Sequence, residues 1–551
     1  MRNKEEILSE YNRWLAGATA DADLRTELER MDAAAIEDAF YRDLEFGTGG
    51  LRGTIGAGTN RMNVYTVAKA SLGLGRWLGA GSSVVIGYDT RLKSDLFARV
   101  AAGVFAAGGI RVFLWPEPLP VPTVSFAVRR FKASAGVMIT ASHNPGVYNG
   151  YKVYGADGCQ ITTGAAAAIL AEIERCDCFA PPINPDPPVE FIGADVLAAY
   201  TERVKQESVL FGDGIDRNLA IVYTPLNGTG LKPVTGVLRD CGFTNITVVE
   251  EQRLPDGRFP TCHYPNPEMR EALELGLRDC RKTGADLLLA TDPDCDRCGI
   301  AVRDGEDYRT LTGNEVGLLL LDYVCSQRIK HNRMPADPVF IKTIVTMDLA
   351  ERIAARYGVR TVNVLTGFKF IGEQIGLLER SGKENSFICG FEESYGYLTG
   401  PYVRDKDAVN AALLICEMFA FYKTRGVSLP EKLQELWDTY GYCLNTLHNY
   451  AFPGSAGMAR MQEIMASFRR GVAELGGMKV LETLDYSRGL DGLPKSDVLK
   501  FVLQDGGSLV IRPSGTEPKL KVYVSVSAAD EAAARAIEDR LAAALNERIG
   551  S

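Results

Sequence analysis

Short apolar runs that end in glycine, proline or polar residues recur along the chain, and each predicts a buried strand that leads into a loop. The first three such runs cover residues 83–87, 110–115 and 135–139. An apolar-rich stretch over 96–107, ended by two glycines, predicts a helix between the first two strands. Strands that alternate with helices in this way are typical of an α/β domain.

The same alternation begins again twice further along the chain. A second round predicts strands over 219–223, 246–249 and 286–290 with a helix over 235–241, and a third predicts strands over 338–344, 361–365 and 386–389 with a helix over 348–357. Residues 1–40 precede the first round and are predicted to be helical, because Ile7, Tyr11 and Trp14 follow helical spacing. Three rounds of one pattern indicate three related α/β domains with mixed sheets.

The last part of the chain has a different pattern. From 520 to 526 apolar and polar residues alternate with a period of two, which predicts a half-buried strand. A predicted strand over 509–511 precedes it, and an alanine-rich helix over 528–549 follows it. We therefore expect a smaller α+β C-terminal domain, with an active-site cleft between the four domains. The predicted domain boundaries are 1–205, 206–312, 313–440 and 441–551.

The composition narrows the class of protein. At 551 residues the chain is too long for one hydrophobic core. Its net charge of −9 argues against nucleic acid or an anionic membrane as a partner. The sequence has no run of 18 uncharged apolar residues, and its charged, amphipathic amino terminus is unlike a secretory leader. We therefore expect a cytoplasmic protein with reduced cysteines and small-molecule partners.

The stretch TASHNP at 140–145 directly follows the predicted strand over 135–139. Open α/β sheets bind their ligands at the ends of such strands. We therefore expect Ser142 at the floor of a crevice, with His143 beside it and Lys152 shortly after. The residues alone leave two interpretations open, namely a nucleophile at a site or a turn serine that bonds its own backbone.

Three aspartates alternate in the loop DPDCDR, which follows the predicted strand over 286–290. In a curled loop, Asp292, Asp294 and Asp296 can bind one hard divalent cation and leave a position open for a phosphate oxygen. An EF-hand does not fit, because its glycine at the sixth loop position and its glutamate at the twelfth are missing. A solvated acidic turn is the alternative.

Three more loops carry groups suited to phosphates or sugars. The glycine-rich stretch 46–53 contains Arg52 and predicts either a flexible turn or a backbone nest for an anion. GFEESYG at 390–396 offers acceptors for sugar hydroxyls, although its glutamates would also suit a helix amino terminus. RPSGTEPKLK at 512–521 combines a guanidinium, hydroxyls and two lysines, which predicts an anion cradle or, alternatively, a β-turn before a strand.

Taken together, these loops resemble those of the α-D-phosphohexomutase family, and its phosphoglucomutase-2-like branch most closely. TASHNP, DPDCDR, GFEESYG and RPSGTEPK occur in the family's order and span nearly the whole chain. The resemblance implies an isomerase that moves a phosphoryl group between two positions of a sugar. It also implies that Ser142 carries this phosphoryl group and that the phosphoserine binds Mg²⁺ together with Asp292, Asp294 and Asp296.

The resemblance assigns roles to further residues. Lys152, His143 and Arg52 match catalytic positions near the transferring group. The positions that match substrate-binding residues are Arg297, Thr366, Gly367, Lys369, Glu392, Ser394, Lys406, Arg512, Ser514, Gly515, Thr516 and Lys521. Within this set, the loop at 390–396 is implied to recognise the sugar, and the loop that begins at Arg512 is implied to grip the non-reacting phosphate.

The implied reaction interconverts glucose 1-phosphate and glucose 6-phosphate, with glucose 1,6-bisphosphate as intermediate and activator. A phosphopentomutase or a glucose-1,6-bisphosphate synthase with the same site remains an alternative. A non-catalytic sugar-phosphate sensor would be expected to lack Ser142 or an aspartate, and a serine hydrolase would be expected to have a Gly-x-Ser-x-Gly elbow. We expect a monomer or a small homo-oligomer.

Overall fold

The computed structural model describes residues 2–47, 49–184, 186–452, 454–490, 492–514 and 519–550. In this part of the chain the strands form four sheets, and we call each sheet with its helices a domain, numbered I to IV in chain order. Domain I holds α1 (Lys4–Gly17), α2 (Ala22–Arg30), α3 (Ala33–Phe40), β1 (Phe46–Gly47), β2 (Gly50–Thr54), α4 (Val64–Leu78), β3 (Ser83–Tyr88), α5 (Ser94–Ala107), β4 (Arg111–Leu114), α6 (Val121–Phe131), β5 (Ala135–Ile139), β6 (Tyr148–Gly155), α7 (Thr163–Glu174), β7 (Glu190–Phe191) and α8 (Ala194–Gln206).

The other three domains follow along the chain without interruption. Domain II holds β8 (Ile221–Thr224), α9 (Leu231–Asp240), β9 (Ile246–Val248), α10 (Arg270–Thr283), β10 (Leu287–Thr291), β11 (Cys298–Asp304) and β12 (Asp307–Leu311). Domain III holds α11 (Gly313–Lys330), β13 (Val339–Thr343), α12 (Leu349–Arg356), β14 (Arg360–Val364), α13 (Phe368–Arg380), β15 (Phe387–Glu392), β16 (Gly396–Thr399), α14 (Ala408–Thr424) and α15 (Leu429–Tyr440). Domain IV holds β17 (Tyr442–Ala451), α16 (Gly454–Arg469), β18 (Glu474–Leu475), β19 (Met478–Asp485), β20 (Leu499–Leu503), β21 (Ser508–Pro513), β22 (Lys519–Ala528) and α17 (Glu531–Ile549).

Domains I, II and III share one four-stranded unit. In each unit the first strand pairs in parallel with the second and the third, and the fourth strand returns antiparallel to the third. These strands are β3 to β6 in domain I, β8 to β11 in domain II and β13 to β16 in domain III. The third strand is buried along its whole length in all three units, because helices cover both faces of such sheets. The prediction of three related α/β domains with mixed sheets is confirmed.

Two local predictions near the amino terminus were wrong. The single helix expected over 1–40 is three helices, because Asp21 and Asp32 cap the amino ends of α2 and α3 with their side chains and so restart the helix. The glycine-rich stretch expected to be a loop forms β1 and β2 on either side of residue 48, which lies outside the described residues. Arg52 pairs with Gly150 in the β2–β6 ladder, so its backbone belongs to a sheet and forms no anion nest.

Domain IV has a six-stranded sheet in the order β17-β22-β21-β20-β19-β18. Its adjacent strands are antiparallel, and α17 packs on β17 and β22. Leu541, Leu545 and Ile549 of this helix are buried in the domain IV core. The α+β prediction for this domain is confirmed, although β17 to β20 carried no period strong enough to be predicted.

The longest buried helix also escaped prediction. In α11 nearly every residue from Val316 to Cys325 is buried, so its apolar residues do not follow a single face and give no helical period. Each of the four sheets lies inside one of the four predicted domain ranges, and the boundaries themselves stay a prediction. Among the described residues, no helix is both long and apolar enough to cross a lipid bilayer.

Candidate active site

The site lies where the third strands of the repeated unit end. The loop after β5 carries Ser142, the loop after β10 carries the three aspartates, and the turn after β15 carries Ser394. Backbone hydrogen bonds link domain II to domains I and III at this place. The amide of Val121 donates to the carbonyl of Asp294 at 2.9 Å, and the amide of Cys298 donates to the carbonyl of Tyr395 at 3.0 Å. Equivalent positions in three domains therefore meet at one place.

Ser142 is buried and has a left-handed backbone, with φ of 52°. Its hydroxyl donates a hydrogen bond to Oδ2 of Asp292 at 2.9 Å and lies 3.2 Å from Nδ1 of His143. Its amide donates to the hydroxyl of Thr140 at 2.8 Å. Burial lowers the pKa of His143 well below its usual value of 6.5, and the nearby Arg297 and Arg52 lower that pKa further. His143 is therefore a neutral imidazole beside the serine at neutral pH.

The aspartates form one compact, fully buried cluster. Each of Asp292, Asp294 and Asp296 offers a carboxylate oxygen, and these oxygens all lie within 4.8 Å of one another. Oδ1 of Asp292 accepts hydrogen bonds from the amides of Asp296 and Arg297, both at 3.0 Å, and these bonds curl the loop. Burial raises the pKa of Asp292, and the two other carboxylates raise it further because they repel its negative charge.

Two ammonium groups from other domains reach the cluster. Nζ of Lys152, on β6, lies 2.9 Å from Oδ2 of Asp294, and Nζ of Lys406, just before α14, lies 3.1 Å from Oδ2 of Asp296. Burial alone would lower the pKa of each lysine, but the aspartates outweigh it and raise both pKa values. Burial also favours neutral Asp294, yet the charge of Lys152 reverses this effect and lowers the pKa of that carboxyl. Domains I, II and III thus meet in one charge network.

The donor set fits a divalent cation. Oδ1 of Asp294 and Oδ1 of Asp296 are buried and have no hydrogen-bond partner among the described residues. Unsatisfied buried carboxylate oxygens are costly unless a counter-charge binds them. Carboxylates are also the ligands that hard cations such as Mg²⁺ prefer, whereas softer metals select thiolate or imidazole. The three aspartates can therefore hold a metal ion.

The predicted sugar loop lies next to this network. Burial raises the pKa of Glu392, at the end of β15, to about 7, although the charge of Lys406 opposes this rise. Ser394 follows in the turn between β15 and β16. Arg297 lies at the same place and donates to Oε1 of Glu268 at 2.7 Å, which orients its guanidinium. This part of the site offers a carboxyl, a hydroxyl and a guanidinium to a polar ligand.

Three more predicted residues lie in the connection from β14 to α13 and in the first turn of that helix. Gly367 precedes the first helical residue with φ of 118°, a conformation that favours glycine. The hydroxyl of Thr366 is buried and has no hydrogen-bond partner among the described residues, so it is available to a ligand. Burial lowers the pKa of Lys369, on α13, to about 8.

The predicted phosphate loop of domain IV begins at Arg512, on β21. Its Nη2 donates to the hydroxyl of Tyr523 at 3.1 Å, and it faces Lys521 of β22 in the strand register. The amide of Ser514 donates to the carbonyl of Lys519 at 2.8 Å. The charge of Arg512 lowers the pKa of Glu393, a carboxyl whose pKa burial raises, so Arg512 lies near domain III. Gly515 and Thr516 lie outside the described residues.

Arg52 approaches the site from the edge of domain I. It lies on β2 with an exposed side chain, and its Nη1 is 3.4 Å from Oδ1 of Asn144 in the serine loop. Its position beside the loop is set by the β2–β6 pairing, which also places Lys152 on the neighbouring strand. Arg52 and Lys152 are therefore presented by adjacent strands of one sheet.

Two charged residues at the site were not predicted. Asp89 and Arg91 follow β3, are both buried and form an ion pair with a 3.4 Å separation. Oδ2 of Asp89 accepts from the hydroxyl of Thr140 at 2.6 Å, two residues before Ser142. A signal existed in the sequence, because both residues follow the predicted strand over 83–87, and the carboxyl ends of such strands are where open α/β sheets bind ligands.

Comparison with known domain families gives a match for each of the four domains. Residues 43–178, 198–305 and 312–440 match the phosphoglucomutase/phosphomannomutase alpha/beta/alpha domains I, II and III, and residues 449–544 match the C-terminal domain of the same proteins. A phosphoglucomutase of Staphylococcus aureus is 36% identical over 534 residues, covering 93% of this chain and 95% of its own. A phosphoglucomutase of Staphylococcus epidermidis is also 36% identical, covering 89% of this chain and 92% of its own.

Solved structures share the fold. A phosphoglucomutase/phosphomannomutase family protein of Burkholderia thailandensis superimposes with a TM-score of 0.67 at 20% identity, covering 92% of this chain and 98% of its own. Parafusin of Paramecium in its open form also gives a TM-score of 0.67, at 19% identity, covering 92% of this chain and 95% of its own. Four domain matches in order and relatives of this similarity confirm the resemblance seen in the loops. The chain belongs to the phosphoglucomutase/phosphomannomutase family.

Proposed function

We propose that the protein is a phosphoglucomutase that interconverts glucose 1-phosphate and glucose 6-phosphate by way of a phosphoryl group on Ser142. The observation that carries this proposal is the 2.9 Å hydrogen bond between the Ser142 hydroxyl and Asp292, a member of the buried aspartate cluster. Phosphoryl transfer depends on positioning and on electrostatic stabilisation, and a serine held against a cation site provides both. The name of the relatives that are 36% identical supports glucose phosphates as substrates.

The proposed chemistry is two phosphoryl transfers in opposite directions. In the first, the free hydroxyl of the sugar monophosphate attacks the phosphorus on Ser142, the bond from phosphorus to Oγ breaks, and the hydroxyl proton ends on Oγ. The sugar is then glucose 1,6-bisphosphate. After it reorients, Oγ of Ser142 attacks its other phosphorus, the bond to the sugar oxygen breaks, and the proton ends on that oxygen. The enzyme is phosphorylated again and the phosphate has changed position.

We propose Mg²⁺ as the cation, held by Asp292, Asp294, Asp296 and phosphorylated Ser142. When bound, such an ion neutralises the charge of a transferring phosphoryl group. The chain's own groups support the same task, because the ammonium of Lys152 contacts the aspartate cluster and the guanidinium of Arg52 lies beside the serine loop. The neutral His143, 3.2 Å from Oγ, is suited to guiding the proton.

A second grip on the substrate lies away from the reacting atoms. Arg512 is suited to bidentate binding of the non-reacting phosphate, and Glu392 is suited to accepting sugar hydroxyls. A distant phosphate clamp also lets the bisphosphate bind in either of two orientations, as the reaction requires. We further propose that the protein acts in the cytoplasm, as a monomer or small homo-oligomer, on free sugar phosphates.

The test compares wild type with Ser142→Ala and Ser134→Ala. Ser134 precedes β5 and Ser142 follows it, so the control removes a hydroxyl from the other end of the same strand. With Mg²⁺ and a trace of glucose 1,6-bisphosphate, wild type and Ser134→Ala should convert glucose 1-phosphate to glucose 6-phosphate, and Ser142→Ala should not. Intact mass should show one added phosphoryl group on wild type and on Ser134→Ala, and none on Ser142→Ala.

Parallel assays with ribose 1-phosphate and deoxyribose 1-phosphate separate the remaining alternatives. Faster turnover of a pentose phosphate than of glucose 1-phosphate would make the protein a phosphopentomutase. Net accumulation of glucose 1,6-bisphosphate would make it a bisphosphate synthase. Conversion by Ser142→Ala at the wild-type rate would refute the phosphoserine itself.

A further inference from the structure

Arg91 binds the backbone of the serine loop from beneath with both of its terminal nitrogens. Nη1 donates to the carbonyls of Pro145 at 2.9 Å and Tyr148 at 3.0 Å. Nη2 donates to the carbonyls of Ser142 and Asn144. One buried guanidinium therefore joins four carbonyl groups within the seven residues 142–148. Arg91 itself lies on a different loop, the one between β3 and α5.

This contact requires an arginine. The guanidinium is a rigid planar fork that donates in several directions at once, whereas a lysine ammonium is a single point on a flexible stem. The fork is itself held in place by Asp89, at 3.4 Å from Nε, and by the ring of Phe259 from domain II, whose centre is 4.9 Å from the guanidinium carbon. Asp89 accepts in turn from the hydroxyls of Thr140 and Ser94.

The bound carbonyl of Ser142 belongs to a residue in the left-handed region. A φ of 52° is unfavourable for a residue with a side chain, and it persists only when surrounding contacts hold the backbone. In this conformation the carbonyl of Ser142 meets Arg91 while its hydroxyl meets Asp292. The two contacts come from the same residue, so a rotation that releases the carbonyl also moves the hydroxyl away from the aspartate cluster.

Domain II packs against the same loop so closely that no side chain fits between the two backbones. A side-chain carbon added at Gly146 would lie 2.9 Å from the carbonyl oxygen of Gly257, and one added at Gly257 would lie 2.3 Å from the amide of Leu92. The serine loop, the segment after β3 and the segment 256–259 of domain II are therefore packed backbone against backbone.

We propose that Arg91 is a positioning residue of the phosphoryl transfer, which fixes the left-handed backbone of Ser142 so that Oγ faces the aspartate cluster. This inference rests on the proposed function. Among the described residues, the guanidinium of Arg91 donates to backbone carbonyls and forms its ion pair with Asp89, so it acts through Ser142 and does not touch the reacting atoms. Its loss should slow the transfer and leave the grip of domain IV on the substrate unchanged.

The experiment compares Arg91→Lys with Arg129→Lys, each in the full-length protein. Arg129 is also a domain I arginine that donates to a backbone carbonyl and to a carboxylate, those of Asp157 and Glu379, but it has no contact with the serine loop. We expect Arg91→Lys to lower kcat about 10- to 100-fold, because small misplacements of a reacting group have effects of this size. KM for glucose 1-phosphate should stay within about twofold.

A direct readout is the rate at which dephosphorylated enzyme takes up a phosphoryl group from glucose 1,6-bisphosphate, followed by intact mass. This rate should fall in Arg91→Lys in proportion to kcat and stay at the wild-type value in Arg129→Lys. Phe259→Leu provides a second variant that tests the same fork if Arg91→Lys does not fold, and it should lower kcat several-fold with unchanged KM.

Three results would overturn the proposal. The first is an unchanged kcat and uptake rate in a folded Arg91→Lys or Phe259→Leu protein. The second is a rise in KM that accounts for the lost activity, and the third is a loss of activity that merely follows the folded fraction measured by circular dichroism. Wild-type protein that takes up no phosphoryl group at all would instead refute the proposed function, and with it the basis for Arg91.

Discussion

The hydroxyl of Ser142 lies 2.9 Å from Oδ2 of Asp292, and this hydrogen bond joins the ends of equivalent strands in domains I and II. Ser142 follows β5 and Asp292 follows β10, each the third strand of the same repeated unit. The proposed phosphoryl carrier and a proposed metal ligand thus follow equivalent strands of the same repeated unit. The contact makes the aspartate cluster part of the serine's immediate surroundings.

Asp292→Asn should weaken metal binding. The amide keeps the size of the carboxylate but removes its charge, which is the main attraction for a hard cation. We expect the Mg²⁺ concentration for half-maximal activity to rise at least tenfold and kcat to fall about 100-fold. The measurements are a Mg²⁺ titration of activity and calorimetric Mg²⁺ binding.

The control for this variant is Asp304→Asn. It changes an exposed aspartate at the far end of β11, the strand that follows the aspartate cluster. It should leave both quantities at the wild-type value. Saturation of Asp292→Asn at the wild-type Mg²⁺ concentration would exclude Asp292 as a ligand.

Lys406→Met should change affinity for Mg²⁺ and turnover in opposite directions. The ammonium of Lys406 lies 3.1 Å from Asp296 and competes with a cation for its charge. Without it we expect Mg²⁺ to bind about threefold to tenfold more tightly, which is a small part of the interaction between two such close charges. Turnover should nevertheless fall, because a cation beside the proposed site of phosphoryl transfer is lost.

Lys423→Met is the matched control, because Lys423 also pairs with an aspartate but does so at the surface, with Asp286. Calorimetry should give the wild-type Mg²⁺ affinity for this variant. Weaker Mg²⁺ binding by Lys406→Met would mean that the lysine orders the carboxylates and does not compete with the ion.

Arg512→Lys should raise KM and leave kcat nearly unchanged. A lysine keeps the charge but cannot form two parallel hydrogen bonds to one phosphate, so binding is lost equally in the ground state and the transition state. We expect KM for glucose 1-phosphate to rise about tenfold, with kcat within about threefold. Steady-state kinetics on glucose 1-phosphate and on glucose 6-phosphate measure both constants.

Arg535→Lys, on the exposed face of α17 in the same domain, should leave KM unchanged. An unchanged KM in Arg512→Lys, or a fall of kcat alone, would place the distal phosphate elsewhere.

Glu207→Gln should stabilise the protein at high pH. Burial at the end of α8 raises the pKa of Glu207 from its ordinary 4.5 to about 7, despite the nearby charges of Arg203 and Arg328. Since the folded pKa lies above the unfolded one, the contribution of this carboxyl is present below pH 4.5 and is lost as the pH rises through 7. The variant keeps a neutral group at every pH and should gain about 1–3 kcal/mol over wild type between pH 5 and pH 8.

The comparison is made with apparent thermal midpoints at both pH values. Glu202→Gln changes an exposed glutamate on the same helix and should show no such gain. A midpoint difference between Glu207→Gln and wild type that is equal at both pH values would show that the folded carboxyl titrates normally.

Much of the fold could be predicted because buried parallel strands have a strong local pattern. The runs over 135–139, 286–290 and 386–389 are continuous and apolar, and each became the third strand of its unit. Predictions failed where local pattern and structure separate. The helix α11 is buried on every side, and the short strands β1 and β2 are rich in glycine, so none of the three shows the period of its element.

The predicted site residues were those whose chemistry is visible in short motifs. Ser142, the aspartates and Arg512 stand out because their neighbours in the chain repeat the pattern of a known family. Arg91 was missed because its partners are backbone carbonyls at residues 142, 144, 145 and 148, and a carbonyl has no identity in the sequence. The proposed role of Arg91 depends on how the loop between β5 and β6 folds back over it, and no sequence motif records that contact.

By itself, the sequence determined which residues are candidates for the chemistry and which buried strands precede them, because apolar runs, glycines and alternating aspartates are local properties of the chain. Only the tertiary structure decided that Lys152 and Ser142 of domain I and Lys406 of domain III converge on the aspartate cluster of domain II. It also decided that Ser142 has a left-handed backbone held by a buried arginine. The physical reason is that charges and backbone carbonyls act through distance, and distances between loops arise only when the sheets pack.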